Sequence, residues 1–172
     1  MADATALLAR RRVPLGFATG AIALVLASPT PVSMLWGLPV AALGEAIRVW
    51  AAGHLEKSRE VTRSGPYRFS RHPLYVGSSV MGAGVAIASA NVWVALCAAI
   101  YLSVTLTAAI RSEEAFLRRQ FGSEYDAYCR GQAAEVRRAF SWARAWRNRE
   151  WRAIMGLSAF AALFAAKIIW LS

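Results

Sequence analysis

The chain has 172 residues but only two cysteines, two histidines and ten acidic side chains. Each scarcity excludes a class of chemistry. Cys97 falls inside an apolar run and Cys129 in a basic segment, so no disulfide is expected, and neither sits in a metal-ligand spacing or a C-terminal lipidation box. His54 and His72 are isolated in the sequence, and no metal site is expected. Gly82, Ala83 and Gly84 lie within an apolar run with no strand pattern before them, which removes the dinucleotide fingerprint. No phosphate-cradling loop and no nucleophile triad is present either. Charge-free stretches, by contrast, are long.

With 57% hydrophobic residues and a mean hydropathy of +0.37, the composition does not describe an ordinary soluble domain. A helix crosses the hydrocarbon with about 17–25 apolar residues, and the sequence predicts about five such helices, at about 13–28, 32–52, 74–90, 92–110 and 153–171. The first is short, closed by Pro29 and Pro31. The third and fourth are separated by Asn91 alone and form a tight hairpin. The expected fold is an all-α integral membrane protein, one membrane domain over 1–172, with segments 53–73 and 111–152 between spans. A single Lys167 near the end of the last run is placed to snorkel.

Twenty Lys and Arg produce a net charge of +10. Their placement argues for topology rather than a nucleic-acid partner. Arg10, Arg11 and Arg12 precede the first run; Lys57, Arg59, Arg63, Arg68 and Arg71 separate the second from the third; a further set from Arg111 to Arg152 precedes the fifth. The opposite connections, 29–31 and 90–91, carry none. The positive-inside rule then places the N-terminus in the cytoplasm and the C-terminus outside, with the basic excess facing anionic membrane lipids. No small-residue cleavage site follows the N-terminal arginines, so a signal peptide is not expected.

Chemistry is concentrated in two stretches. The first is GPYRFSRHPLYVG, residues 65–77. Gly65 and Pro66 signal a turn, Tyr67 to His72 is expected to be extended before Pro73, and Pro73 suits the first position of a helix. The free N–H groups of Leu74, Tyr75 and Val76 then offer an anion site beside Arg71 and His72. The second is IRSEEAFLRRQFGSEYDAYC, residues 110–129. Glu113 and Glu114 lie toward a helix C-terminus, where negative charge is disfavoured, so Arg71, Arg111 or a cationic ligand should compensate. Separated by about 100° on the helix, the two carboxylates can serve different partners. Gly122 should end that helix, and Ser123 with Asp126 should cap a short one presenting Tyr125 and Tyr128.

RHPLY followed about one helix later by EE and then FGSEYDAY resembles the isoprenylcysteine carboxyl methyltransferase-like family and its relatives the phospholipid methyltransferases. The resemblance is strongest over residues 43–130. It implies an integral membrane enzyme using S-adenosylmethionine, with a cytoplasmic cofactor pocket built by the loop between the second and third helices and the segment after the fourth. It also implies a lipophilic, membrane-embedded methyl acceptor, and bacterial relatives place such a chain in the inner membrane. Carried over by position, Tyr67, Arg71, His72, Leu74, Tyr75, Glu113 and Glu114 bind the cofactor. Glu113 also stands among the catalytic candidates, with Arg48, which orients the acceptor or the cofactor, and Glu45, a candidate base. Ionisable residues within a span default to a functional reading, although Glu45 and Arg48, three apart, can also neutralise each other.

EVRRAFSWARAWRNREWRAIMG follows the tyrosine pair without a proline, a departure from the carboxyl methyltransferase pattern that leaves open whether prenylcysteine is the acceptor. Trp50, Trp142, Trp146 and Trp151 read as interfacial aromatics, the Arg144–Arg152 region as a membrane-surface helix, and Ser78 with Gly82 as helix packing. Two other readings stand beside methyl transfer. One is an NADPH-dependent membrane reductase related to sterol reductases, which carry a similar motif. The other is a non-catalytic helical membrane protein whose charges only set topology.

Overall fold

The computed structural model describes residues 2–134 and 136–171, with side chains described for 14–134 and 136–170. The side chains of Arg10, Arg11 and Arg12 lie outside that set. Seven α-helices and one 3-10 turn account for the described order: α1 Ala2–Leu26, α2 Pro31–His54, the turn Gly65–Arg68, α3 Pro73–Ser89, α4 Val92–Phe121, α5 Ser123–Cys129, α6 Trp142–Arg147 and α7 Trp151–Leu171. Local chemistry accounts for the starts. Thr30 and Ser33 exchange side-chain and backbone hydrogen bonds at 3.0 and 2.9 Å ahead of α2, a reciprocal cap that satisfies two orphan donors. Asn91 accepts from the N–H groups of Trp93 and Val94 to start α4, and Pro73 takes the first position of α3.

Among the described residues, three helices are long and apolar enough to cross a membrane: Pro31–His54, Val92–Phe121 and Trp151–Trp170. The apolar stretches Pro14–Leu26 and Pro73–Ser89 are shorter. At 1.5 Å per residue, the 30 residues of α4 extend about 45 Å, more than the roughly 30 Å of hydrocarbon. Past the apolar run that ends near 110 the helix continues to Phe121 and stops at Gly122, as expected, because nothing in RSEEAFLRRQ breaks it earlier. Its last turns project past the apolar zone and carry Glu113 and Glu114.

The bundle is held by close backbone approach and by its ends. On α2 and α3, a Cβ added to Gly77 would fall 2.6 Å from Arg48 Cγ and 2.7 Å from the Gly44 carbonyl, while one on Gly44 would overlap Met81. Small residues permit this contact in a setting where apolar burial alone does not drive helices together. At the short-loop end Ala27, just past α1, forms a buried cluster with Ala88 of α3 and Phe164 of α7. Ser33 donates to the Ala88 carbonyl at 2.9 Å, and Lys167 donates to the Leu24 and Val25 carbonyls at 2.8 and 2.9 Å. Rather than snorkelling, that ammonium caps α1, where exposed carbonyls favour a cation.

At the basic end, segment 136–150 docks on the C-terminus of α2. Asn148 donates to the Ala52 and Leu55 carbonyls, both at 2.9 Å, and the Ser141 N–H and Arg144 Nε donate to the Gly53 carbonyl at 3.1 and 2.8 Å. Arg138 grips Glu60 with two bonds at 2.6 and 2.7 Å, and Arg144 and Arg147 both reach Glu56. These contacts fold the second basic segment over the first.

Three local expectations are corrected. Residues 67–72 are not extended: Gly65, at φ +57, and Pro66 start a 3-10 turn whose Phe69 and Ser70 N–H groups return to the Pro66 carbonyl. A proline restricts only the residue before it, here His72 at φ −132. Ser123 does not cap α5. Gly122, at φ +47, turns the chain in a single residue directly after α4, which leaves no extended position for a serine. The N–H groups of Tyr75 and Val76 bond back to the His72 carbonyl at 3.0 and 3.1 Å, so the start of α3 offers fewer free donors than expected.

Candidate active site

The two conspicuous stretches meet at the basic end. Tyr75, in the first turn of α3, donates its hydroxyl to Glu113 Oε2 at 2.8 Å. Glu114, one residue on and facing away, accepts from His72 Nε2 at 3.1 Å and lies 3.5 Å from Arg71 and 3.9 Å from Arg118. The adjacent glutamates thus have separate partners, as their angular offset on the helix requires. Charge compensation for Glu114 comes from Arg71 and Arg118. Tyr128 of α5 donates to the Tyr67 carbonyl at 2.7 Å, which ties the segment after α4 onto the 3-10 turn.

A cavity of about 1410 Å³ runs from the 55–62 loop down between α1, α4 and α7 as far as Leu24 and Leu163. Pockets for one small ligand span roughly 300–1,000 Å³, so this volume accommodates two ligands or one with a long tail. Its upper wall carries Tyr67, Arg71, Leu74, Tyr75 and Glu113, all expected from the sequence. His72 and Glu114 are not on that wall. They stand behind it, paired with each other, and hold Arg71 from the back. The lower arm is apolar: Phe17, Ala21 and Leu24 from α1 face Ala159, Phe160 and Leu163 from α7.

At the junction of the two halves lies Arg48. Its Nε donates to Glu150 Oε1 at 2.7 Å, its Nη1 bonds the Ser78 hydroxyl, and Glu45 Oε2 lies 3.6 Å from Nε. Ser78 is three residues beyond Tyr75 on α3, about 4.5 Å deeper along the helix. Both acids are almost fully buried, Glu45 at 8% and Glu150 at 5% exposure. Arg48, Ser78 and Glu150 line the cavity, whereas Glu45 stands behind Arg48 with neither carboxylate oxygen hydrogen-bonded. Two carboxylates therefore share one guanidinium, and only one of them is exposed to a ligand.

Sequence reasoning did not single out Glu150 or Asn148, and it assigned Ser78 to packing. A signal existed for Glu150: it is the one acid among Arg144, Arg147, Arg149 and Arg152 immediately before an apolar run. Reach across the bundle was not visible, because Arg48 and Glu150 are 102 residues apart.

Among the polar groups of the upper wall, the Tyr67 hydroxyl is buried and has no hydrogen-bond partner in the described structure. Burial first, and the neighbouring Glu113 carboxylate next, push its phenol well above the usual tyrosine range, so it remains a neutral donor. Such an orphaned buried hydroxyl costs on the order of 1–3 kcal/mol, which a ligand's polar atom would offset. Burial likewise raises Tyr128, to about 12. Arg71 is held more firmly charged by its 3.5 Å contact with Cys129 Sγ and by Glu114. No group of three or more metal-ligating side chains occurs among the described residues.

Among the described residues, then, the helices of a membrane protein enclose a cavity that joins a charged rim to an apolar arm. Residues 16–124 match the phospholipid methyltransferase family, and the chain belongs to that family of membrane methyltransferases. It is 35% identical over 96 residues to the nickel-cobalt-cadmium resistance protein NccN of Alcaligenes xylosoxydans xylosoxydans, an overlap covering 55% of this chain and 43% of NccN. The chain therefore aligns with less than half of that relative. No solved structure matches it.

Proposed function

We propose that the protein transfers a methyl group from S-adenosylmethionine to a lipophilic, membrane-embedded acceptor at the cytoplasmic face of the bacterial inner membrane. The observation that carries this reading is the continuity of the cavity from the Tyr67, Arg71 and Glu113 rim, past Arg48, into the apolar arm. In this reading the chain is a single membrane domain with five crossings, the two shorter apolar stretches included, its N-terminus inside and its C-terminus outside. The Lys and Arg distribution supports that orientation.

The residues present fit the cofactor. Arg71 is a partner for a carboxylate, Glu113 for an ammonium or a ribose hydroxyl, the Tyr67 hydroxyl for a further polar atom, and the faces of Tyr67 and Tyr75 for a sulfonium. When bound, the cofactor supplies a methyl group that is already activated. The chain then needs only to align an acceptor and exclude water. From segment 141–150, anchored on the α2 carbonyls, Asn148 and Glu150 contribute to the cavity wall. Arg48 is a fixed donor at the joint, placed to orient the acceptor's polar group. Glu150, on the cavity wall, is better situated than Glu45 to take a proton from that acceptor. No covalent nucleophile is required.

Calorimetric titration of the detergent-purified protein with S-adenosylhomocysteine, with NADPH in parallel, tests the reading. Saturable binding of the homocysteine compound, weakened in Glu113→Gln and Arg71→Ala, is expected. Binding of NADPH alone, or of neither, would overturn it.

A further inference from the structure

A second apolar cleft lies on the far side of the α3–α4 hairpin. It has a volume of about 630 Å³ and runs along α3 from Tyr75 to Ile87 and along α4 from Ala95 to Ile110. Small residues form its floor, among them Gly82, Ala83, Ala86 and Ala99, and Ala83 and Ala99 are exposed. Because α4 is long and apolar enough to span the bilayer, this face is bathed in hydrocarbon.

Dimensions decide between occupants. Twelve residues of α3 at 1.5 Å each make the cleft about 18 Å long, so its mean cross-section is about 35 Å². An α-helix with side chains is about 10 Å across, a cross-section of about 80 Å², so a helix of a second copy does not seat in it. One extended hydrocarbon chain does. Polarity has the same direction: the polar side chains of the cleft include His72 and Tyr75 at the basic end, and the opposite end at Ile87 and Ala95 is apolar.

The cleft also abuts the site. Tyr75 and Leu106 line both the cleft and the central cavity, so these two side chains are the partition between them. Tyr75 is held in place by its 2.8 Å bond to Glu113. We propose that the α3–α4 cleft binds a single acyl or prenyl chain of a membrane lipid, and that Tyr75 and Leu106 form the gate through which such a chain passes into the cavity. The binding half stands on the cleft alone, and the gating half rests on the methyl-transfer reading. Ligand binding to Glu113 competes with the bond that closes the gate, which couples occupancy of the charged rim to opening.

Filling the cleft from its exposed floor leaves the cavity wall untouched, so Ala83→Trp and Ala99→Trp are the test variants. Wild type and both variants are purified in mild detergent, and retained phospholipid is counted by native mass spectrometry. S-adenosylhomocysteine affinity is measured on the same samples as a control for fold and rim. Methyl incorporation is followed from labelled S-adenosylmethionine into a total lipid extract of the expressing cells. Wild type should retain a lipid that both variants lose, at unchanged homocysteine-compound affinity, and incorporation should fall at least tenfold in the variants. Equal lipid retention in wild type and both variants overturns the binding site, and full incorporation despite lost lipid overturns the gate. Conversion of a wild-type dimer to a monomer by the plugs, seen by light scattering, would assign the cleft to a second copy and overturn the proposal. Absent homocysteine-compound binding in the wild type removes the methyl-transfer reading and leaves the lipid count to decide the cleft. Should a plug alter that affinity, Ala86→Leu, a smaller filling on the same floor, replaces it.

Discussion

Replacing Glu150 by glutamine removes one charge from the trio at the joint of the cavity while preserving shape. Breaking a buried ion pair from one side costs about 3–5 kcal/mol, because the remaining charge is left uncompensated. Two features reduce that here: the new amide oxygen still accepts from Arg48, and Glu45 remains 3.6 Å away to offset the guanidinium. A loss of about 2 kcal/mol is therefore expected, or about 4–8 °C in melting temperature for a chain of this size. Arg48→Met should be worse, at about 4 kcal/mol, since it leaves two buried carboxylates with no counter-charge. Adding Glu45→Gln and Glu150→Gln to Arg48→Met should recover most of that loss, because all three charges are then gone. Thermal unfolding in detergent, read by tryptophan fluorescence, measures the series. If Arg48→Met proves milder than Glu150→Gln, or if the triple substitution melts below Arg48→Met alone, the three side chains do not form one electrostatic unit.

Four further outcomes follow from the geometry. Lys167→Met removes two hydrogen bonds to the end of α1 and should cost about 1–3 kcal/mol by the same melt, with S-adenosylhomocysteine affinity unchanged; an affinity loss as large as that of Glu113→Gln would contradict the purely structural role. Gly77→Leu inserts a side chain where even a Cβ meets Arg48 and the Gly44 carbonyl, so size-exclusion chromatography should show little monodisperse protein. Tyr75→Phe frees Glu113 from its hydroxyl partner and should tighten or preserve homocysteine-compound binding, while Glu113→Gln weakens it tenfold or more; equal losses in the two would show that the hydroxyl itself contacts the ligand. Tyr128 titrates near 12 when folded against about 10 when unfolded, so its contribution to stability is constant below pH 10 and is lost as pH rises from 10 to 12. Tyr128→Phe should flatten that alkaline decline in a melting-temperature series.

The sequence by itself determined the helical membrane character, the basic face and the position of the chemistry, for reasons that are local or additive. Apolar length sets which segments enter hydrocarbon, proline and asparagine set where helices start, and unbroken helical propensity past residue 110 determined the length of α4 once its breaker at Gly122 was recognised. RHPLY and EE were legible as a site because they belong to consecutive helices joined by two residues, so a hairpin must bring their ends together. Tertiary structure alone decided the rest. That His72 and Glu114 stand behind the wall while Tyr67 and Glu113 face the cavity depends on the rotation of α3 against α4, which spacing along one helix does not specify. Glu150 reaches Arg48 only because segment 141–150 folds back onto the exposed carbonyls of α2, a contact made possible by Asn148 and Arg144 finding unpaired acceptors there. The apolar arm is likewise made by α1 and α7, which are far apart in sequence and meet only when the bundle closes.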